Sequence, residues 1–481
     1  MGYAKEFAEF EEQERLFDRE YAGIPYWQYL RLDVCLSAFW DYIKKNSAAK
    51  NEISRYQKMK DLVRIGAKGI KSELALRKHS AVDVIFLRMT SGYEEFDRFY
   101  DYWELPEEIK AIRILQSAAM EKAARPGIYN LGLPHMMSIV TYHVRKRLHK
   151  GAYYDEKEFR FLKELEQKVI RRFGQCMTAE QMQDAVWGYE HRKKYFQRYF
   201  GKLFDRLKPR AIVVVCYYND TLYAAYEEAR KRGIKIIELQ HGAIKNHPEY
   251  WFEDQRGRNN LTPDYMLLFG RIHKTWTKLL KNTTCVSVGF PFQESELKRL
   301  EGCEADEKTV IVYPQLDERF EQVICEFADR AEPLGYKIIV KMHPGESNCL
   351  KTYYPLLSNK KNLEIVTDQS KGIYYWLKRG KHHVMADTTV GLEAVAADSS
   401  NICIALNTEH EQTQPLLDWG AARGFRTADE LLELIRNPKE VDSHYRRELW
   451  EENARDNMER FFLKMKERDW PDDLGDDPGL V

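Results

Sequence analysis

Apolar and polar residues follow two different rhythms along this chain. Over residues 1–79 the rhythm is helical: apolar positions recur at helix spacing in FAEFEEQERLF and again in WQYLRLDVCLSAFWDYI, with Ile24-Pro25 as a break between them. A first strand-like run, VDVIFL, follows at 82–87, and a second falls within 111–118. Residues 155–207 are helical, rich in charge and free of proline. From 211 the pattern changes to short, wholly apolar runs separated by amphipathic ones. The runs are AIVVVCYY (211–218), KIIELQ (235–240), YMLLFG (265–270) and CVSVGFP (285–291), then TVIVYP (309–314), KIIVKMHP, NLEIV (362–366), HVMAD and NICIAL (401–406). TLYAAYEEARKRG, GIYYWLKRG and TTVGLEAVAAD lie between them as helices. Such alternation predicts parallel sheets with helices on both faces.

The expected organisation is α/β. A helical N-terminal extension (1–79) precedes a first Rossmann-like domain (80–291). A charged linker (292–308), a second Rossmann-like domain (309–426) and a helical tail (427–481) packing back across both domains complete it. Two doubly wound domains create a cleft between two sets of strand ends, which is where open sheets bind ligands.

The strand ends therefore matter. KIIVKMHPGE (337–346) ends in His343-Pro344-Gly345-Glu346, and HVMADTTVGLE (383–393) ends in Asp387-Thr388-Thr389 before turning into a helix. Pro344 fixes the turn after the first strand and holds His343 at the sheet edge, with Gly345 next to it. A helix opening with hydroxyl residues offers N–H groups and a positive dipole end to a phosphate. His343, Asp387, Thr388 and Thr389 are read as one side of a nucleotide-phosphate site, although Asp387 or Thr388 could serve only as a helix cap. Glu393, one turn on, is in reach of a ribose hydroxyl or is simply a surface carboxylate. In the first domain KIIELQ ends in His241-Gly242. An imidazole takes and gives protons near neutrality, so His241 is a candidate general base, and Gly242 lets a substrate approach the backbone. The bland reading is a histidine bonded to a strand carbonyl.

Composition narrows the functional classes. The chain has 481 residues, enough for two or three domains. Its 75 Lys and Arg balance 75 Asp and Glu, which gives no global attraction to nucleic acid. The 29 tyrosines suit sugar-handling surfaces and large cores equally. Eight cysteines without a CxxC pair read as reduced thiols of a cytoplasmic protein, with no zinc site. The start reads as no signal peptide, and no apolar run is long enough to cross a bilayer, so any membrane contact is expected to be peripheral. The basic stretch 55–78 suits an anionic surface, or a helix packed on the next domain by Leu62, Ile65, Ile70 and Leu74. The second is the preferred reading, with Gly66 and Gly69 weakening the helix.

LQHGAIK, KMHPGE and MADTTVGLEA, in that order, resemble motifs of a bacterial GT-B transferase superfamily. It includes the capsule polysaccharide synthesis transferases, the polysialyltransferases and the CDP-glycerol glycerophosphotransferases. VGFP (288–291), IPYWQYLR and VDVIFLR are similar to segments of its members. The resemblance implies a GT-B fold with the acceptor in the first domain and a CMP- or CDP-linked donor in the second. It implies that His241 is the catalytic base, that His343 contacts the donor phosphate, and that Asp387-Thr388-Thr389 binds it in place of a commoner serine turn. The expected enzyme is metal-independent, needs no cofactor and acts on a glycan or lipid-linked glycan acceptor at the inner face of the membrane. A nucleotide-sugar 2-epimerase of the same fold and a non-catalytic glycan-binding scaffold are the alternatives. Oligomeric state stays open.

Overall fold

The computed structural model describes residues 3–39, 55–88, 97–115, 128–148, 154–245, 247–253, 261–344, 346, 350–397, 400–407 and 413–471. Two parallel sheets dominate it. The first contains β1 (Val84–Arg88), β2 (Ala111–Leu115), β3 (Ile128–Asn130), β4 (Ala211–Val215), β5 (Lys235–Leu239), β6 (Tyr265–Leu268) and β7 (Thr284–Ser287), in the order β3-β2-β1-β4-β5-β6-β7. The second contains β8 (Asp306–Tyr313), β9 (Lys337–Lys341), β10 (Glu364–Val366), β11 (Gly380–Met385), β12 (Asn401–Ala405) and β13 (Arg423–Phe425), in the order β10-β9-β8-β11-β12-β13. Every pairing in both sheets is parallel. This is a two-domain, GT-B-like α/β architecture, and each sheet reverses its strand order once. The reversal falls between β1 and β4 in the first sheet and between β8 and β11 in the second, which fixes where a ligand crevice opens.

The strands that read as continuous apolar runs are buried on both faces. Every residue of β4 is buried, as is every residue of β12. Helices cover both sides, with Phe200, Phe204 and Leu207 of Ala179–Leu207 on one face of the first sheet. The tail covers the other face. On either side of Trp450 the chain passes Gly270 and then Gly289, and Phe461 and Phe462 of helix Ala454–Glu467 join Val84, Phe86 and Val213 in one core. A Cβ at Gly270 would stand 2.4 Å from the Leu449 carbonyl. Gly289 has φ 83° and a Cβ there would meet the Glu451 oxygen at 2.4 Å, so the turn after β7 admits only glycine without movement. Between the domains, Phe269, Phe290, Phe292 and Trp450 share a core with Ile311, Tyr374 and Leu392.

Three expectations change. The charged stretch 292–308, read as a linker, overlaps helix Pro291–Arg299, whose proline occupies its first turn, and β8 begins at Asp306. The basic stretch forms one continuous helix, Arg55–Leu76, despite its glycines. Those glycines are contact points: a Cβ at Gly66 would lie 2.2 Å from Met136 Sδ, and one at Gly69 would lie 2.0 Å from the Leu133 nitrogen of helix Gly132–Leu148. The packed face is thus Gly66, Gly69, Ser72 and Leu76, while Ile70 and Leu74, expected to be packed, are 49% and 55% exposed.

Candidate functional site

His241 stands two residues beyond β5, and its turn is clamped by its neighbour. Gln240 is buried; its amide donates to the Gly242 carbonyl at 2.9 Å and lies 3.0 Å from His273 Nδ1, while its side-chain oxygen accepts from the Phe269 nitrogen at 2.8 Å. The end of β4 supplies an orienting partner. Cys216 adopts a left-handed backbone (φ 57°), and Tyr218, two residues on, places its hydroxyl 3.1 Å from His241 Nε2. The other ring nitrogen, Nδ1, is buried and has no hydrogen-bond partner among the described residues. In the tautomer whose Nε2–H donates to the tyrosine oxygen, Nδ1 carries a free lone pair. Burial, and then the Arg98 guanidinium, pull the His241 pKa down to about 4, so the imidazole is neutral at pH 7.

Behind this turn lies a buried polar network. Arg31 is fully buried and donates to both carboxylate oxygens of Glu11 at 2.8 Å and to the Trp251 carbonyl at 3.2 Å, with Glu249 at 3.7 Å. The Tyr217 hydroxyl donates to Glu249, and the Tyr250 hydroxyl donates to Glu238 of β5 at 2.7 Å. Tyr218 packs on His247 with ring centroids 4.8 Å apart. Burial pulls the His247 pKa down to about 3, with His241 and Arg31 adding to the shift, and pushes Glu238 up to about 8. The N-terminal helices Tyr3–Gln13 and Trp27–Phe39 are therefore fastened directly to the segment that follows His241.

The second sheet meets this turn. A Cβ on Gly242 would lie 3.7 Å from Thr389 Cγ2, so the strand-end turns of the two domains face one another closely enough for one added carbon to bring them into contact. Asp387 sits at the point where the strand order reverses. Its nitrogen donates to the side chain of Gln315, just beyond β8, and its carboxylate accepts from the Thr413 nitrogen at 3.1 Å. The Thr388 hydroxyl accepts weakly from the Val390 nitrogen at 3.4 Å, and Thr389 is exposed at the start of the seven-residue helix Val390–Ala396.

His343 is exposed two residues beyond β9, and its carbonyl accepts from the Glu346 nitrogen at 3.0 Å. Tyr354 donates to the Glu346 carboxylate at 2.6 Å and anchors that turn. Pro344 is half-buried, and Gly345 lies outside the described residues. The strands ending in His343 and Asp387 are separated by β8, about 10 Å at ordinary sheet spacing. A single phosphate is too small to touch both ends, whereas a nucleoside diphosphate is long enough. Glu393 is half-buried, and its charge acts on the buried phenols of Tyr313 and Tyr374.

Several charged side chains not singled out from sequence stand near these strand ends. Arg98 influences His241 in one domain and Tyr374 in the other. Lys245, half-buried, has its pKa lowered by burial and partly restored by Asp418 of the second domain. Lys341, at the end of β9, donates to the Met342 carbonyl and to Gln369, and burial brings its pKa down to about 8. Among the described residues no group of three His, Cys, Asp or Glu side chains is arranged to hold a metal.

No protein-family model matches the chain, and no curated protein matches it by sequence. It is similar to solved structures of the same fold at low identity. The UDP-GlcNAc 2-epimerase of Neisseria meningitidis bound to UDP-GlcNAc is 11% identical, with 81% of this chain and 100% of that one covered and a TM-score of 0.46. The UDP-GlcNAc 2-epimerase of Methanocaldococcus jannaschii is 16% identical over 58% of this chain and 82% of that one, at TM-score 0.40. The glycotransferase of kitacinnamycin is 11% identical over 81% and 100%, at TM-score 0.45.

Proposed function

We propose that this protein is a glycosyltransferase or glycerophosphotransferase. It moves a group from a CMP- or CDP-type donor to a hydroxyl of a bacterial surface polysaccharide, as glycan or lipid-linked glycan, on the cytoplasmic side of the membrane. The observation that carries the reading is the close approach of the His241-Gly242 turn of one sheet to Thr389 in the Asp387–Thr389 turn of the other, beside an imidazole nitrogen that has no hydrogen-bond partner among the described residues.

In this scheme the donor lies across the ends of β9, β8 and β11, and the acceptor enters from the first domain. His241 Nδ1 takes the proton of the acceptor hydroxyl, and Tyr218 holds the ring by its other nitrogen. The acceptor oxygen bonds to the sugar carbon, or to phosphorus for a glycerophosphate. The bond from that atom to the nucleotide phosphate oxygen breaks, and the electron pair leaves with the nucleotide. A base with a pKa near 4 is weak in the empty cleft. The negative donor offsets the Arg98 charge and raises the imidazole's proton affinity when it is needed. His343, with the cations Arg98 and Lys245, stabilises the departing phosphate. One base on one side predicts inversion when the donor is a sugar.

The test incubates the protein with CMP-, CDP-, UDP- and GDP-linked donors, with and without glycan acceptors, after a thermal-shift screen for the nucleotide. Acceptor-dependent release of CMP or CDP supports the proposal. Epimer formation without acceptor identifies a 2-epimerase, and binding without turnover identifies a scaffold.

A further inference from the structure

We propose that the face formed by helices Arg55–Leu76 and Gly132–Leu148 docks onto an anionic lipid bilayer. The first observation is where large apolar side chains are exposed. The first helix exposes Val63 (58%), Ile70 (49%) and Leu74 (55%). The second exposes Met137 (37%), Val140 (43%), Val144 (50%) and Leu148 (73%). Among the described residues only Tyr154, Leu334 and Leu356 are comparably exposed elsewhere. Scattered single apolar residues need no explanation, but a stripe on two packed helices does.

The second observation is that both stripes point the same way. Gly66 and Gly69 meet Met136 and Leu133, so the two helices run antiparallel with these residues at the crossing. Stepping around each helix from its contact face at about 100° per residue puts Val63, Ile70 and Leu74 on one flank. The same construction puts Met137, Val144 and Leu148 on the flank of the second helix that lies on the same side of the pair, with Val140 near the seam. The opposite flank of the first helix carries the buried Ser72 and Leu76. The glycines therefore bring two half-stripes together into one apolar surface.

Charge selects the occupant. Residues 55–78 hold eight cations and two acids, and residues 132–148 hold three cations and no acid, in a chain whose formal charge is zero. An excess of nine positive charges in the two segments that carry the apolar stripe fits the headgroup boundary of an anionic membrane. Helix Gly132–Leu148 begins just after β3 ends, so it leaves from the carboxyl end of the outermost strand of the first sheet.

The experiment measures sedimentation of the full chain with vesicles of phosphatidylcholine alone and of phosphatidylcholine mixed with phosphatidylglycerol. The wild type is expected to partition at least about tenfold more onto the mixed vesicles, and salt is expected to weaken that binding. The pair Val63→Asp with Val144→Asp, and separately Lys60→Glu with Lys71→Glu, each lower partition by about tenfold or more without changing the thermal melt, because all four sites are exposed. Absence of vesicle binding, equal binding to both lipids, or variants that bind like the wild type overturns the proposal. Light scattering supplies a further check: an aspartate pair that halves the particle mass with vesicle binding unchanged makes this face a contact between copies of the chain instead. None of these readouts depends on the transferase activity.

Discussion

The turn that carries His241 and the turns that carry His343 and Thr388 occupy equivalent edges of similar sheets, yet they are held very differently. On the first sheet the turn is over-determined. Gln240 fixes its backbone, Tyr218 fixes its ring, and the fully buried Arg31 fastens the segment behind it to helices more than 200 residues earlier in the chain. On the second sheet His343 and Thr389 are exposed, and the tie to distant segments runs through Asp387, which bonds to Gln315 and Thr413. The difference suits the division of labour proposed for the cleft. A base must be aimed before the acceptor arrives, because misplacement costs rate steeply. A surface that grips and releases a nucleotide can leave its polar groups solvated until the ligand replaces the water.

The comparison can be broken at several points, beginning with the largest effect. Arg31→Met leaves Glu11 and Glu249 buried without their cation, and is expected to cost about 3–5 kcal/mol in urea unfolding. If the loss is only that of a surface pair, the first-domain turn is not anchored as described. Gln240→Leu removes three buried contacts and is expected to cost about 1–3 kcal/mol. Its turnover should fall further than its nucleotide affinity, which steady-state kinetics alongside calorimetry will resolve.

The pH dependence of stability sharpens the contrast. Burial raises Glu238 to about 8, above the carboxylate value of 4.5 for the exposed side chain, so the folded state holds a proton that the unfolded state has lost. That contribution is whole below ~4.5 and fades as the pH rises toward 8. Glu238→Gln is expected to flatten this alkaline loss by about one proton in the slope of stability against pH. His241 and His247 act at the other end. Their pKa values are lowered to about 4 and about 3, so their contribution is whole above ~6.5 and is lost as the pH falls below it. The smallest effect is expected at the second sheet: His343→Ala, at an exposed turn, changes folding stability by no more than about 0.5 kcal/mol while weakening nucleotide binding.

Much of the fold can be read from the sequence because the central strands are short apolar runs ending in polar residues. In the two parallel sheets the strands that escape such reading are Ile128–Asn130 and Arg423–Phe425, three residues each at a sheet edge, too short to make an apolar run. Gly66 and Gly69 look like helix breakers because propensity is local, whereas their use, close approach of a second helix, is tertiary. The candidate site divides the same way. His241, His343 and Asp387–Thr389 stand out because they follow strands. Arg31 does not, since in WQYLRLDV it resembles a solvent-facing charge, and its partners lie on other elements. Arg98 is hidden in an acidic, aromatic run, and Tyr218 reads as the tail of an apolar strand. Roles fixed by one strand's end are visible in sequence; roles fixed by contact between distant segments are not.

The central claim is that the imidazole of the first sheet serves the reaction while the second sheet holds the nucleotide. Turnover and nucleotide affinity measured side by side for His241→Ala test it most directly. The account predicts nucleotide binding close to that of the unmodified protein and turnover lowered by about 10²–10⁴-fold. Turnover that survives the substitution, or nucleotide binding that is lost with it, would contradict the account.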